Sequence, residues 1–485
     1  MTKEKNVSNA ILRKITLIFT VAVLMVTCVN LKPLHVNAAS KPVSKVYCCL
    51  YKGGKLVISQ KKIKPQKGKK VLENKKLAKP SQLKNRNKIK TVVFKGKVRP
   101  KSCQQWFEDC KNITKISNIK NFDTSQCTNT ANMFWGCRKL KSLDVSRFNT
   151  AKVKDMSAMF YRCKSLKKID VSKFKTSKVK FMGAMFGDCI SLEKLNLKSF
   201  NMSAVKETAF MFQNCYKLKR VYINKFNTKN VTSMYAMFQN CKSLEKIDFN
   251  GFNTAKVENM NYMFESCKTL KKVEISKLNT LNLKHMGGMF SNCTALKEVI
   301  IDKINTARLE GVEAMFANCK SLINIKFNGF NTSNIKYMDE MFSGCKSLEN
   351  LDLSSFSTSK VIEMAGMFNE CKALTNLNIS NFDTKNVINM EWMFKGCKSL
   401  KNLELSNFNT SKVKTMEAMF CACGNLEQLD ISKFDIKANC VLEEMFAEFS
   451  ANGVVRINQK AKKAIENNGG SDSSYVKHWE IVDEK

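Results

Sequence analysis

An apolar pair, Met-Phe, stands at Met133-Phe134 and returns every 26 residues without slippage to Met445-Phe446, thirteen copies in one phase. Trp106-Phe107 reads as a degenerate fourteenth copy, one residue out of step. A Cys follows the Phe by three residues from Cys110 through Cys423, and only the last copy replaces it, with Phe449. A fixed period of this length marks a repeat architecture, in which no unit buries its apolar side alone and stacked units share a core. The unit starting at Cys345 shows the pattern inside one repeat. Leu348, Leu351 and Leu353 form L-x-x-L-x-L, the strand signature of leucine-rich repeats. Alternate strand residues face opposite sides, so Leu351 and Leu353 point inward while Asn350 and Asp352 point out. Phe356 turns the corner, and Val361 and Met364 read as a second short extended piece. Met364, Met367 and Phe368 are three to four apart, which predicts a single helical turn returning the chain.

The expected fold is therefore an α/β repeat solenoid, a leucine-rich-repeat-like stack of about 14 coils with short strands and one helical turn per coil, capped at both ends. The chain divides into residues 1–38, a signal peptide; 39–105, a basic N-terminal segment and cap; 106–446, the solenoid; and 447–485, a C-terminal cap. Lys3, Lys5, Arg13 and Lys14 precede an apolar run from Ile15 to Val29, and Val36-Asn37-Ala38 supplies a small-residue cleavage site, with cleavage expected after Ala38. A lipoprotein signal using Cys28 is the alternative, and Thr27 fits it badly because a small residue is wanted there. No second apolar span and no wall-sorting tail is read, so the expectation is export followed by release or non-covalent retention. In the last segment, Lys460–Asn467 is amphipathic and a short strand is expected around His478–Val482.

Leu351 to Leu374 follows L-D-L-S-x-F-N/D-T-S-x-V-x-x-M-x-x-M-F-x-x-C-x-S-L almost position by position. In this the chain resembles the leucine-rich-repeat surface proteins of BspA type, and more closely their longer-repeat branch of mycoplasma-like lipoproteins and proteins of gut or oral Gram-positive bacteria. Ile89–Phe94, Trp106-Phe107, Cys110 and Asn121–Thr124 extend the likeness to about residues 85–450. The resemblance implies a solenoid displayed at a bacterial surface in a binding or adhesive role, with no common enzymatic activity. It transfers a class and no ligand, and this chain departs from it in being unusually basic and in lacking an obvious wall anchor.

Composition sharpens this picture. The 20 Cys, 25 Met and 32 Phe reflect the repeat columns. The column Cys137, Cys163, Cys189, Cys215, Cys241, Cys267, Cys293, Cys319, Cys345, Cys371, Cys397 and Cys423 is read as buried, reduced core, since a free buried Cys behaves as a small hydrophobe. Zinc sites want four converging ligands, which one column does not give. Cys48, Cys49, Cys103, Cys127, Cys421 and Cys440 lie off the column and are candidates for disulfides. The Asx-Thr pairs at Asn149, Asn227, Asn253, Asn331, Asp383 and Asn409 are read as structural ladders. With 3 His, no Ser/His/Asp order, no phosphate-cradling Gly loop and no H-E-x-x-H, no catalytic residue, metal site or cofactor is expected; His285 is expected to line the core.

The net charge is +41, and residues 39–101 hold 21 Lys and Arg against one acid, Glu73. Lys61, Lys62, Lys64, Lys67, Lys69, Lys70, Lys75 and Lys76 are the candidate polyanion-binding residues. Such a block usually forms a flexible, solvated arm, and its density attracts polyanions. Outside a cell these are teichoic acids, sulfated or sialylated glycans, mucins or released DNA. On the exposed strand face, Lys168, Lys194, Arg220, Lys246 and Lys272 form a basic column that gives way to Asn324, Asn350, Asn376 and Asn402. Beside it run Asp144, Asp170, Asn196, Asp248, Glu274, Asp352, Asn378 and Glu404. This face is either a solvated surface of compensating charges or a ligand surface. The functional expectation is a secreted or surface-held, adhesin-like, non-enzymatic protein that binds anionic polymers or host surface proteins. A nucleic-acid-binding or purely structural envelope protein is the alternative, and the stacking aromatics that nucleic acid wants are spent on the core.

Overall fold

The structure is a computed structural model that describes residues 45–223, 226–302, 304–468 and 474–482. The expected signal segment and its cleavage site lie outside the described residues. The described residues begin with three strands, β1 (Val46–Tyr51), β2 (Lys55–Ser59) and β3 (Val71–Leu77), followed by β4 (Thr91–Phe94) and β5 (Lys115–Ser117). They form one sheet in the order β3-β1-β2-β4-β5. β1 pairs antiparallel with β2 and β3, whereas β2–β4 and β4–β5 are parallel. The sheet thus passes from a hairpin cap into the parallel ladder of a solenoid. Gly54 makes the β1–β2 turn: its φ is +89°, and a Cβ there would stand 2.6 Å from the Lys88 carbonyl oxygen.

From there most coils add one short parallel strand, from β6 (Lys194–Asn196) and β7 (Arg220–Tyr222), through β8 (Lys272–Glu274), β9 (Glu298–Ile300) and β10 (Asn324–Lys326), to β11 (Asn350–Asp352), β12 (Asn376–Asn378), β13 (Asn402–Glu404) and β14 (Gln428–Ile431), while the coils of Leu143, Ile169 and Ile247 pass the same position without a regular strand. Register is in phase with the repeat, Leu351 opposite Leu377 and Leu403 opposite Leu429. A second ladder of single parallel bridges joins one residue per coil at thirteen positions, from Asn129 to Val441. At the far end β15 (Val454–Ile457), helix α1 (Gln459–Asn468) and β16 (His478–Ile481) continue the last sheet in the order β13-β14-β15-β16.

The single helical turn per coil is not what forms, and the hydrogen bonds say why. In one coil the N–H groups of Met185, Gly187 and Cys189 bond back to Met182, Ala184 and Phe186, three residues earlier. Between them, the N–H groups of Met182, Ala184, Phe186 and Asp188 donate forward to Glu207, Ala209, Met211 and Gln213 of the next coil. An α-helix keeps its N–H groups for carbonyls of its own chain four residues back. Here every second donor is exported to stitch neighbouring coils. Exporting them requires left-handed residues, at Ala184 (φ +53°) and Asp188 (φ +56°) in this coil, and at the equivalent positions along the stack.

The core is a set of columns. Phe rings from Phe107 to Phe446 stack without a break, with centroids 5.0–6.0 Å apart and planes within 1–23°. Offset stacking at this spacing adds to the area each ring buries. Both ends of the stack are closed edge-on, by Phe94 against Phe107 and by Trp479 against Phe446. The twelve column Cys are buried free thiols. Each donates its S–H to the carbonyl of the Phe one coil earlier, as Cys163 does to Phe134 at 3.2 Å. Burial pushes the Cys163 and Cys293 thiols up to about 12, which keeps them protonated as donors. Cys103 and Cys127 form a disulfide between consecutive coils. Buried Thr side chains make a third ladder: Thr150 Oγ1 donates to the Lys175 carbonyl and accepts from the Lys175 N–H. Asn149 Oδ1 accepts from the Ala151 N–H, closing the adjoining turn.

Candidate functional site

The lysine-rich run does not hang free as an arm. Ile63 plugs a small apolar cluster of Cys49, Tyr51 and Val57 on the side of the cap sheet away from the main core. The Ile63 carbonyl accepts from Asn74 Nδ2 at 3.2 Å, and the Gln66 N–H donates to the Tyr51 hydroxyl at 3.1 Å. The Lys52 N–H closes the loop onto the Lys70 carbonyl at 2.9 Å. Polar lysines alternate with one apolar anchor, so the block folds down as a fixed loop. Lys61, Lys62, Lys64, Lys67, Lys69 and Lys70 are all exposed on it. Lys75 and Lys76 lie on β3 and part ways there. Lys76 rests over the Tyr47 ring on the same side as the loop, 5.3 Å from its centroid. Lys75 turns to Glu73 at 3.6 Å. Glu73 itself is buried and faces away from the loop, where it accepts from the Asn85 and Lys84 N–H groups; these bonds and Lys75 outweigh its burial and hold its carboxyl below the usual range.

On the strand face, Lys168, Lys194, Arg220, Lys246 and Lys272 are exposed in a row, with Lys194 directly opposite Arg220. The chain neutralises two of them itself: Arg220 pairs with Glu245 at 3.2 Å and Lys272 with Glu298 at 2.7 Å. Among the described residues Lys168, Lys194 and Lys246 have no ion pair. The neighbouring acidic column is occupied locally. Asp144, Asp170 and Asp352 each accept the N–H two residues on, from Ser146, Ser172 and Ser354, and these bonds hold all three carboxyls below the usual range. In the amide half, Asn376 donates to Asn350 at 2.6 Å. The free cations of this face therefore gather in its first half.

The turn side of the coils carries a surface that the strand-face reading passes over. Trp135 and Tyr161 stack at 6.1 Å, with the Arg162 guanidinium 5.5 and 5.3 Å from the two ring centroids and paired to Asp188 at 3.2 Å. Phe210, Tyr235 and Tyr262 follow edge to face at 5.2 and 5.7 Å. Further along, carboxylates take over at Glu313, Asp339, Glu391, Glu417 and Glu443. Burial first, then Glu313, Glu340 and Glu363, push the Asp339 carboxyl up to about 7. The signal was in the sequence, but it is spread over three columns: Trp135 and Tyr161 follow the Met-Phe pair, Phe210 and Tyr262 precede it, and Tyr235 with the carboxylates stands two residues before its Met.

His285 is half-buried on the bridge ladder and not in the core, because Met286 occupies the column position behind it. Among the described residues, no group of three or more His, Cys, Asp or Glu is placed to hold a metal, and no helix is long and apolar enough to cross a membrane.

The family pattern described as "Mycoplasma protein of unknown function, DUF285" matches the chain four times, over residues 101–221, 192–302, 297–402 and 372–463. Among solved structures, a leucine-rich repeat protein from Eubacterium ventriosum is similar at 18% identity, covering 77% of this chain and 92% of its own, with a TM-score of 0.37. The pneumococcal vaccine antigen PcpA is similar at 14% identity, 93% and 99% coverage and a TM-score of 0.35. The functional domain of InlJ from Listeria monocytogenes, which includes a cysteine ladder, is similar at 14% identity, 71% and 68% coverage and a TM-score of 0.21. No curated protein matches the chain.

Proposed function

The chain belongs to the family described as Mycoplasma protein of unknown function, DUF285, and from that premise we propose that it is an exported, non-enzymatic binding protein. In this reading the protein is secreted or held at the cell surface in an adhesin-like role. The cap attaches it to anionic polymers, wall polymer or host glycan, and a solenoid face recognises a macromolecular partner. The observation that carries the reading is the tethered loop, which presents six exposed lysines on one side of the cap sheet. A fixed charge cluster attracts polyanions at long range and loses that attraction in salt. The unpaired cations of Lys168, Lys194 and Lys246 support the first half of the strand face as the second binding surface in this reading.

The test compares the mature chain from residue 39 with a variant in which Lys61, Lys62, Lys64, Lys67, Lys69 and Lys70 are changed to Gln. Substitution is preferable to removing residues 39–101, because Val92 and Phe94 cover the end of the core. The variant is expected to elute from heparin at markedly lower salt, and to stop sedimenting with bacterial cells, while its thermal unfolding is unchanged. Unchanged retention on heparin sinks the polyanion role. Competition by DNA, heparin and poly(glycerol phosphate) then ranks nucleic acid against wall polymer and glycan.

A further inference from the structure

The cap holds a feature that the lysine run alone does not describe. A pocket of about 280 Å³ opens between the β1–β2 turn and the end of the tethered loop. Tyr51, Lys52, Lys55, Gln66, Lys69 and Lys70 line it. Two of its four lysines come from the hairpin and two from the loop, so only the fold brings them together. No carboxylate lines it, and Glu73, the one acid in the surrounding stretch, bonds to Asn85 and Lys84 elsewhere.

Four lysines border so small a space that their like charges are in mutual repulsion. A free loop would relieve it by moving apart. This loop is fastened at both sides of the pocket, by the Gln66 N–H on the Tyr51 hydroxyl and by the Lys52 N–H on the Lys70 carbonyl. The Lys69 N–H also donates to the Gln66 carbonyl, closing a turn that sets the Lys69–Lys70 pair at the rim. A multiply charged anion relieves the repulsion and meets lysines whose backbone positions the fold has already fixed. The volume equals that of roughly nine waters, enough for a tetrahedral oxyanion and part of the polyol or sugar that carries it.

We propose that the pocket between the β1–β2 turn and the Lys69–Lys70 loop end is a subsite for one phosphoryl or sulfo group of an anionic polymer, held by Lys52, Lys55, Lys69 and Lys70. The proposal rests on the polyanion reading of the cap and deepens it: Lys52 and Lys55, which lie outside the lysine run, join Lys69 and Lys70 as the residues of closest contact, and Tyr51 positions the loop.

The experiment uses the mature chain from residue 39 and measures binding of inorganic phosphate, inorganic sulfate, poly(glycerol phosphate) and heparin by titration calorimetry at low salt. Three variants separate the causes. Changing Lys52, Lys55, Lys69 and Lys70 to Ala is expected to weaken phosphate and polymer binding at least tenfold. Changing Lys61, Lys62, Lys64 and Lys67 to Ala removes the same charge and is expected to weaken it less than threefold. Tyr51→Phe removes no charge and keeps the ring in its apolar cluster, and is expected to weaken phosphate binding several-fold with thermal unfolding unchanged. Equal losses in the two lysine sets, with Tyr51→Phe silent, overturn the subsite and leave general polyanion attachment standing. No loss in either set overturns both. A preference for poly(glycerol phosphate) over heparin, lost in the first variant, assigns the subsite to phosphodiester polymers, and the reverse preference assigns it to sulfated glycans.

Discussion

Asp339 sits on the turn side with Glu313, Glu340 and Glu363 around it, and burial raises the Glu313 carboxyl as well, with His285 opposing it in part. Burial and these carboxyls push Asp339 up to about 7. A folded-state value raised above the unfolded one means the folded chain holds the proton more tightly. The stabilisation is fully present below about pH 4 and is lost as pH rises through about 7. Asp339→Asn removes the charge that the cluster resists. The variant is expected to match the parent at pH 4 and to exceed it at pH 8 by on the order of 1–2 kcal/mol, after screening by water at the half-exposed rim. Urea unfolding at the two pH values measures it, and parallel stability curves would refute it. Residues of this kind were legible in the sequence only as letters in a column, because of the neighbours that shift Asp339 only Glu340 is adjacent in the chain, and Glu313 and Glu363 come from other coils. The lysine pocket has the same character: Lys69-Lys70 is conspicuous in the run, but Lys52 and Lys55 reach it across a strand turn.

At the scale of the element, the returning segment teaches why spacing alone misleads. Met364, Met367 and Phe368 are three to four apart and all buried, which a helix and a chain of turns satisfy equally. What separates them is backbone handedness, and the left-handed positions are mostly filled by residues that conceal it, such as Ala158 (φ +51°) and Phe210 (φ +59°). In the column of Ala158 the only glycines that betray it are Gly288 (φ +57°) and Gly366 (φ +59°), whereas the second left-handed column is marked by Gly136, Gly344 and Gly396 and by Asn214, Asn240, Asn292 and Asn318. The strand side was more legible, because period-2 alternation around Leu351 has one structural solution. The two conformations predict opposite signs for one substitution. In a helix Ala158→Gly costs about 1 kcal/mol. At a left-handed position it relieves the Cβ and is expected to raise stability by about 0.5–1 kcal/mol. Gly288→Ala in the same column meets the Tyr262 ring at 2.5 Å and is expected to lose about 1–3 kcal/mol. A denaturant midpoint that falls for Ala158→Gly would restore the helical turn.

For the whole molecule, the unbroken period has a thermodynamic consequence. Phe342, Phe368 and Phe394 stack at 5.9 and 5.5 Å with planes 1° and 14° apart, and the thiol and threonine ladders repeat the same step. These core contacts are the same at every step, so stability is to first order a sum over units and their nearest-neighbour contacts. Deleting residues 345–370 removes one whole period and joins Gly344 to Cys371 in phase. Phe342 then meets Phe394, and the Cys397 thiol meets the Phe342 carbonyl in place of that of Phe368. The shortened chain is expected to fold and melt cooperatively. Its unfolding enthalpy should be lower by about 18 kcal/mol near 60 °C, the share of the missing residues. Deleting residues 345–357 alone removes half a period and sets Phe and Leu columns against strand-face lysines and amides. That chain is expected to lose its cooperative transition. The comparison is made by scanning calorimetry on both. If the in-phase deletion unfolds as the half-period one does, the coils are not interchangeable and the stack is held by contacts longer than one step. If both fold, phase is not what the columns enforce, and the uniform 26-residue spacing needs a cause outside the core.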